Sequence, residues 1–315
     1  MQIKVEINDF SRLNLNHPRS AIWHQHGYLS EVTSSFNLTA HRGSELTACW
    51  IVPLSHVNYH YKAEREHRFL PYSSPLLLEV HPYYRRETFY ALLEFLVKRV
   101  DSIQLPMEPG FHDIGCINEL GGFSETRHTH VIDTTTFSID GCLRHARREI
   151  RKAARYCDVR IHTSVEKFHF DKAIMGSEES IKKRSYFAML CQQKGKILII
   201  DAIIEGQSHG QLLLLNSDIS WIGMHSWCDK SSVHGIGNLL IAEACKYLNS
   251  SGSQKLLDLE GSILYGVDKF MSGMGIPVCY PMIYWDRDTT SLFNSLKCSY
   301  LIPGRIRSVK EIEDE

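Results

Sequence analysis

Residues 196–228, KILIIDAIIEGQSHGQLLLLNSDISWIGMHSWC, decide the fold that this sequence predicts. Short turns of Gly, Ser, Asn and Asp separate three apolar runs, which favours three strands in an antiparallel meander. The segment 237–252, GNLLIAEACKYLNSSG, then has the apolar spacing of an amphipathic helix that ends at Gly252. The run KLLDLEG at 255–261 is a further strand. Because a helix joins it to the meander, we expect it to be parallel to the preceding strand, and the order predicts an α/β unit.

The composition is that of an ordinary globular protein. The 315 residues are 43% hydrophobic and 23% charged, enough for two domains of about 150 residues. A formal net charge of -1 gives no overall electrostatic case for binding nucleic acid or a membrane surface. Nine cysteines without a CxxC pair predict free thiols in a reducing compartment. The N-terminus has no apolar signal core and no apolar run is long enough to span a membrane, so we expect a cytoplasmic protein.

An arginine-rich segment follows the predicted boundary between two domains, 1–135 and 136–315. It reads SIDGCLRHARREIRKAARYC at 138–157 and has the spacing of a helix. Arg148 and Arg151 share one face of that helix. The face is either a solvated basic surface or a site for an anionic ligand. We predict that these two arginines bind an anionic acceptor.

The loop before the amphipathic helix contains two closely spaced glycines. It reads KSSVHGIGNLL at 230–240. With Gly235 and Gly237 at this spacing, backbone N–H groups at the helix start are able to face an anion, and pyrophosphate is the natural candidate.

The stretch SSVHGIGNLLIAEA resembles the acyl-CoA pyrophosphate loop and helix of the GNAT acyltransferase superfamily. That motif usually reads Gln/Arg-x-x-Gly-x-Gly/Ala, and a serine stands at its first position here. The resemblance implies acyl-CoA as the co-substrate. The residues that it implies for donor binding are Ser232, His234, Gly235, Ile236, Gly237 and Asn238.

Two further stretches resemble the Fem-type transferases, which carry the GNAT fold twice in one chain. THVIDTTTFSIDGCLRHARREIRKA at 129–153 resembles the segment that joins their halves. LLDLEGSILYGVDKFMSGMG at 256–275 resembles their strand with an acidic-Gly end, followed by a helix with a Phe. The likeness covers roughly residues 125–285. It implies two tandem GNAT-like α/β domains, a degenerate first one on the acceptor side and a second one with the donor site. We expect the tail, 288–315, to pack back on the first domain.

The Fem-type resemblance also concerns a lysine. In those enzymes a lysine directly after the Phe is thought to assist the reacting carbonyl. Here Met271 follows Phe270 and Lys269 precedes it. The resemblance therefore implies a catalytic role for Lys269 only with a shift in register, and it implies that Phe270 binds substrate.

Asp258 and Glu260 stand at the end of the last predicted strand. Because side chains alternate along a strand, we expect both carboxylates on one face. An amine must be neutral to attack a thioester or an ester, and a carboxylate is able to take its proton. Repulsion between two nearby acids would raise the pKa of one of them toward a useful value. We predict Glu260 or Asp258 as the base, with helix capping after Gly261 as the alternative.

The third strand of the meander has a candidate substrate surface. Alternation places Trp221, Gly223, His225 and Trp227 on one face. We predict that His225 and Trp227 line an acceptor cleft, and a packed sheet face is the alternative. By resemblance to GNAT proteins, backbone N–H groups on this strand would hold the carbonyl of the acyl donor.

The sequence thus predicts an N-acyltransferase that moves an acyl group from acyl-CoA to a small-molecule or peptide amine. The Fem-type resemblance leaves aminoacyl-tRNA open as the donor, which would make charged tRNA a partner in amide bond formation. A non-catalytic GNAT-fold binding module is the third possibility, and Ser232 and Met271 fit it. No metal is predicted, since His128 and His130 have no third ligand nearby in sequence.

Overall fold

The structure is a computed structural model, and it describes most of the chain outside the two ends. The described residues are 3–8, 34–57, 60–64, 72–173, 177–217, 220–229, 231–252, 256–260 and 265–288. The predicted packing of the tail therefore lies outside the described residues. Among those residues, no helix combines the length and the hydropathy that a bilayer crossing requires.

The described part of the N-terminal half contains six strands and a long helix. In chain order they are β1 (Ile3–Ile7), β2 (Ser34–Arg42), β3 (Glu45–Val57), β4 (His60–Glu64), β5 (Leu76–Leu77), α1 (Pro82–Val97) and β6 (Ser102–Pro106). The apolar positions of α1 recur at helical spacing, and Phe89, Leu92, Leu93 and Leu96 are fully buried against the sheet. The ring of Phe89 lies 5.8 Å from that of Trp50 on β3.

A short helix, α2 (Gly115–Glu119), and a strand, β7 (Phe123–Asp133), lead to the basic helix, α3 (Arg144–Ala153). Ala146, Ile150 and Ala153 form the buried face of α3, and its arginines face outward.

The C-terminal half contains the predicted meander. Its elements are β8 (Asp158–His162), α4 (Phe170–Ala173), α5 (Glu178–Gln193), β9 (Ile197–Ile204), β10 (Gln207–Asn216), β11 (Trp221–Cys228), α6 (Ile236–Ser250), β12 (Leu256–Asp258), α7 (Tyr265–Ser272) and β13 (Ile276–Asp286). The antiparallel pairing of β9, β10 and β11 confirms the meander. The parallel pairing of β12 with β11 confirms the crossover through α6.

The described strands form one sheet in the order β1-β2-β3-β4-β6-β13-β7-β12-β11-β10-β9-β8, with β5 beside β3. Each half exchanges a strand with the other, because β13 pairs with β6 and β7 pairs with β12. The two exchanged strands pair with each other from Ile276↔Val131 to Tyr284↔Phe123. The predicted domain boundary at 135/136 falls between β7 and α3, and it stays a prediction.

Pro281 lies within β13, a strand flanked by β6 and β7. Pro281 pairs with Thr126 on β7, while the last residue of β6, Pro106, already faces Met282. The missing N–H of Pro281 therefore falls where the ladder with β6 ends. The carbonyl of Pro281 still accepts a hydrogen bond of 2.8 Å from the Met107 N–H.

The two halves share a core. Cys49 and Ile51 of β3 pack in one cluster with Phe187 of α5 and Leu213 of β10. On the other face of the C-terminal sheet, α6 packs on the strands, and α3 lies across α6 with Ile150 and Leu239 in one cluster. This packing fixes α3 beside the first turn of α6, where the sequence predicts a donor site.

Candidate active site at the strand junction

The two parallel strands of the C-terminal half separate after a short contact. β11 and β12 pair only at Trp221↔Leu257 and Ile222↔Asp258. β12 then ends, and β11 continues to Cys228. We call the space between 223–228 and 259–260 the donor gap. The gap is narrow at the point where the two strands begin to separate, since a Cβ built on Gly223 would lie 3.6 Å from the Asp258 carbonyl oxygen.

A β-bulge lies in β11 beside the donor gap. Leu213 pairs with His225 and Leu214 pairs with Gly223, so Met224 is an extra residue on β11. A bulge breaks the ladder and re-aims side chains, and bulges are enriched next to active sites. The extra residue also reverses the alternation, which makes the predicted common face of Trp221 and Trp227 wrong. Trp221 packs in the α6 cluster, whereas Trp227 packs in the cluster on the opposite face.

The structure buries Trp227 in the core instead of exposing it to a cleft. Its Nε1 donates a 3.0 Å hydrogen bond to Gln211 Oε1, and the Lys172 ammonium lies 4.4 Å from its ring centroid. The His225 ring packs edge-on to Phe170 at 6.3 Å. Trp227 therefore has a packing role, in agreement with the alternative that the sequence left open.

Gly235 begins α6 in a left-handed conformation with φ of 94°. A Cβ at this position would lie 2.4 Å from the carbonyl oxygen of Glu149 on α3. The glycine is thus required both by its backbone and by the close approach of α3. The N-cap itself, Gly235, has no side chain with which to cap the first turn of α6. Its N–H groups, at the positive end of the helix dipole, are the feature that suits an anion.

The remaining residues of the predicted pyrophosphate loop divide into inward and outward groups. Asn238 is buried, and its Nδ2 donates to Met274 Sδ at 3.3 Å, so its amide faces the core. Ile236 is buried as well. Ser232 is half-buried, and its N–H donates to the Asp229 carbonyl at 3.2 Å. The His234 side chain is exposed.

Phe270 of α7 lies against the start of α6. Its ring comes within 3.3 Å of a Cβ built on Gly237, and the Cys228 sulfur lies 3.7 Å from the same point. The missing side chain of Gly237 leaves room for Phe270, which an added Cβ would push back by a few tenths of an ångström. Phe270 packs against the core cluster beneath α6. Lys269, on the same helix, is exposed, so the structure keeps its side chain on the surface.

Asp258 is a buried carboxylate with three hydrogen-bond donors. Its Oδ2 accepts from the Tyr72 hydroxyl at 2.7 Å, and its Oδ1 accepts from the Thr129 hydroxyl and, at 2.9 Å, from the Glu260 N–H. Burial raises the pKa of Asp258, and the hydrogen bonds from Thr129 and Tyr72 oppose that rise. Burial also raises the pKa of Tyr72 well above its ordinary value, with Asp258 adding to the effect.

The predicted arrangement of the two acids is corrected in one respect. β12 ends at Asp258, and Glu260 has a positive φ of 57°, so strand alternation does not extend to Glu260. The rise in the pKa of Asp258 comes from burial, not from repulsion by a second acid. Glu260 is half-buried and follows the end of the strand at the donor gap. Because its N–H bonds to Asp258, the buried acid fixes the backbone that carries Glu260.

Arg148 and Arg151 lie on the exposed face of α3. Arg148 pairs with Glu149 at 3.2 Å, and Arg151 pairs with Asp140 at 2.7 Å. Both pairs are on the surface, where such pairs contribute little to stability. The helix that carries them approaches the start of α6 at Glu149, whose backbone lies against Gly235.

Sequence reasoning missed Tyr72 and Thr129, which hold Asp258 from distant parts of the chain. It also missed the contact of His130 with α7. The His130 ring is buried, with Nε2 3.8 Å from Asp268 Oδ1, and burial lowers its pKa. A buried histidine within an apolar strand was the signal available for that contact. Among the described residues, no group of three or more His, Cys, Asp or Glu is arranged to hold a metal ion.

Comparison with known proteins supports the fold. No protein-family model matches the sequence, and a comparison with curated proteins finds no match. The structure is similar to that of FemX, with a TM-score of 0.60 and 12% identity over 90% of this chain and 96% of that one. It is also similar to the C-terminal domain of a putative lysylphosphatidylglycerol synthetase from Agrobacterium fabrum, with a TM-score of 0.57 and 11% identity over 92% and 95% of the two chains.

A third similar structure is a tandem GNAT protein from the clavulanic acid biosynthesis pathway, with a TM-score of 0.53. The identity is 10%, and the match covers 91% of this chain and 99% of that one. At these identities the comparisons concern the fold. They confirm the Fem-like, tandem GNAT architecture that the sequence predicts.

Proposed function

We propose that the protein is an N-acyltransferase that moves an acyl group from acyl-CoA to an amine. The observation that carries this proposal is the donor gap, which lies between diverging parallel strands and meets the uncapped start of α6. A thioester arm placed in that gap would have its pyrophosphate at a helix N-terminus, where backbone N–H groups and the helix dipole favour an anion.

In this proposal the backbone from Gly235 to Asn238 binds the pyrophosphate, and the Asn238 and Ile236 side chains only support the helix. Backbone N–H groups next to the bulge at Met224 stabilise the oxyanion that forms on the donor carbonyl. Glu260 takes a proton from the amine nitrogen as it attacks that carbonyl, the new C–N bond forms and the C–S bond breaks. CoA leaves as a thiolate, which takes the proton from Glu260 and departs as the thiol. Asp258 acts through the backbone of Glu260 as a positioning residue.

The first test replaces Glu260 by Gln and measures acyl transfer from acyl-CoA to a panel of amines. We expect turnover to fall by about two orders of magnitude, because a general base contributes on this scale. Glu166→Gln is the matched control, since Glu166 is an exposed acid in the same half. Unchanged turnover of the Glu260 variant would reject the base assignment.

Titration calorimetry with CoA tests the donor site separately from chemistry. Binding by the wild-type protein that is lost in Gly237→Val would support the donor gap, because a larger side chain there meets Phe270 and Cys228. Retained folding of the variant, judged by circular dichroism, is required for that conclusion. Absence of binding to CoA and to charged tRNA would instead support a non-catalytic module.

A second candidate donor is aminoacyl-tRNA, and the basic face of α3 favours it. An open groove of about 890 Å³ runs along this helix. The described residues that line it are Arg144, His145, Arg147, Arg148, Arg151, Lys152 and Arg155. This concentration of positive charge contrasts with the net charge of -1 for the whole chain. Such a surface suits a phosphate backbone, and FemX has a similar fold.

The two donors are separated by comparing acyl transfer from acyl-CoA and from charged tRNA, with and without ribonuclease. Transfer that ribonuclease abolishes, and that weakens when Arg148 and Arg151 are both changed to Gln, would favour the tRNA donor. Transfer from acyl-CoA that is insensitive to ribonuclease would favour the first proposal. In the first proposal the same two arginines bind an anionic group of the acceptor, so the double variant would raise the KM for the acceptor.

A further inference from the structure

The outer side of α3 carries a concentration of positive charge on a chain that is otherwise acidic. Residues 144–155 contain six arginines and lysines and one acid, while the whole chain has a net charge of -1. The remainder of the chain therefore has an excess of acids. Among the described residues, the acids that form ion pairs with this segment are Glu149, at 3.2 Å, and Asp140, at 2.7 Å. We call the following side chains the basic face: Arg144, Arg147, Arg148, Arg151, Lys152 and Arg155.

The packing of α3 holds the basic face toward the solvent. Ala146, Ile150 and Ala153 are buried in a cluster with α6, so the apolar side of the helix is already occupied. Among the described residues, the groove along the helix is lined by residues 144–155 alone, and it therefore has no opposite wall. The ten residues of α3 span about 15 Å. An open surface of this length suits an extended anionic partner better than a small anion.

Exposed apolar side chains stand at both ends of the basic face. Leu143 directly precedes α3 and is 53% exposed, and Tyr156 directly follows Arg155 and is 60% exposed. Cations combined with exposed Leu and aromatic side chains are typical of segments that lie on a lipid surface. There the charged groups meet the lipid phosphates, and the apolar groups leave water for the boundary with the acyl chains.

The acidic remainder of the chain favours a planar partner over a long polynucleotide. A polynucleotide that extends beyond α3 would bring its phosphates toward a surface with an excess of negative charge, which opposes binding. A lipid surface contacts a protein along one side, so the basic face is able to meet it alone.

We propose that the basic face docks the protein on a membrane surface that contains anionic phospholipids. The arginines and lysines bind lipid phosphates, and Leu143 and Tyr156 enter the region between the headgroups and the acyl chains. Binding is peripheral and reversible, because the apolar side of α3 stays in the protein core. This inference does not depend on the donor gap, so it stands apart from the proposed acyl transfer.

Vesicle sedimentation tests the proposal. Wild-type protein is mixed with vesicles of phosphatidylcholine alone, or of equal parts phosphatidylcholine and phosphatidylglycerol. We expect binding to the anionic vesicles alone, and weaker binding at high salt. The triple variant Arg144→Gln, Lys152→Gln, Arg155→Gln should bind about 100-fold more weakly, since each cation near an anionic surface contributes about 5-fold in affinity.

The triple variant leaves Arg148 and Arg151, which the proposed function assigns to the acceptor, in place. Its matched control is the double variant Lys98→Gln, Lys182→Gln, which removes two exposed lysines elsewhere on the surface. We expect this control to bind like the wild type. The three replaced side chains of the basic face are exposed, so circular dichroism should show an unchanged fold. Equal binding of the triple variant and the wild type, or no binding of the wild type to anionic vesicles, would overturn the proposal.

A second test separates a lipid surface from RNA as the partner. The double variant Leu143→Ser, Tyr156→Ser keeps every cation, and we expect its affinity for anionic vesicles to fall about 10-fold through the lost apolar burial. The vesicle-bound wild type is also challenged with excess tRNA. Retention on the vesicles, together with the loss in the double variant, supports the lipid surface. Release by tRNA, or unchanged vesicle binding of the double variant, would overturn the assignment to lipid.

Discussion

The two halves of the sheet each contain a crossover helix between parallel strands, and the two helices begin differently. α6 starts at Gly235 with no side chain over its first turn. α1 starts at Pro82, a residue without an N–H group, so one donor is missing from its first turn. In addition, Glu79 lies beside α1, where its carboxylate accepts from Thr88 at 2.7 Å and from Arg42 at 3.1 Å.

This difference shows how one strand order can carry two kinds of helix start. Beside α1, Arg42 forms ion pairs with Glu79, which precedes the helix, and with Glu87, which lies in its second turn. In the proposed function the N–H groups at the start of α6 instead bind an external anion.

The largest expected effect concerns the residues that end β6 and β12. Asp258→Ala would leave three donors without an acceptor, those of Tyr72, Thr129 and Glu260. We expect the free energy of unfolding to fall by about 3–5 kcal/mol, measured by urea denaturation. Tyr72→Phe is the milder control, with an expected loss of about 1 kcal/mol. Pro106, which ends β6, has no side chain that accepts hydrogen bonds. A similar loss in Pro106→Ala would therefore contradict the idea that the two strand ends differ in this way.

The next prediction compares the loss of stability caused by alanine at two glycines with positive φ. Gly235→Ala forces a Cβ against the Glu149 backbone, and we expect a loss of about 3 kcal/mol in the free energy of unfolding. Gly110→Ala, in the N-terminal half, meets no described atom and has only backbone strain, about 1 kcal/mol. Thermal unfolding of the two variants measures the difference. Equal losses would mean that α3 does not approach α6 as closely as described.

A smaller loss of stability is predicted when a buried tryptophan in either half is replaced by phenylalanine. Trp50 Nε1 donates to the Ser73 carbonyl at 2.7 Å, and Trp227 Nε1 donates to Gln211 Oε1 at 3.0 Å. After Trp227→Phe, Gln211 Oε1 still accepts from the His169 N–H, so we expect a loss of about 1 kcal/mol, with about 2 kcal/mol for Trp50→Phe. Urea denaturation checks both values. An increased KM in Trp227→Phe at normal stability would restore the predicted substrate role of Trp227.

The smallest effect concerns pH. Burial raises the pKa of Glu108 from an ordinary value of 4.5 to about 7, so the folded state holds this proton more tightly than the unfolded state. The wild type therefore loses stability as the pH rises from about 4.5 to about 7. Glu108→Gln removes this loss. We expect it to be more stable than the wild type above that range by about 1 kcal/mol, reduced from the full linkage value by partial exposure, and equal below it. Parallel stability curves would contradict the raised pKa.

The features that the sequence predicts correctly are local ones. The meander, α6 and the parallel strand after it follow from turn residues and apolar periodicity, each set by neighbours within about ten positions. The resemblance to tandem GNAT proteins extends this to the whole architecture. The predicted common face of Trp221 and Trp227 fails because one extra residue, Met224, is accommodated in β11, and nothing in the local pattern marks it.

Other features depend on which segments meet. The sequence alone indicates that Asp258 and Glu260 end a buried strand and that Gly235 and Gly237 begin a helix. Only the tertiary structure decides that Asp258 accepts hydrogen bonds from Tyr72 and Thr129, which are 186 and 129 positions away along the chain. It also decides the exchange of β7 and β13 between the two halves. The physical reason is that local hydrogen bonds and apolar spacing fix each element. The partners of a buried polar group, by contrast, are set by how distant elements pack to exclude water.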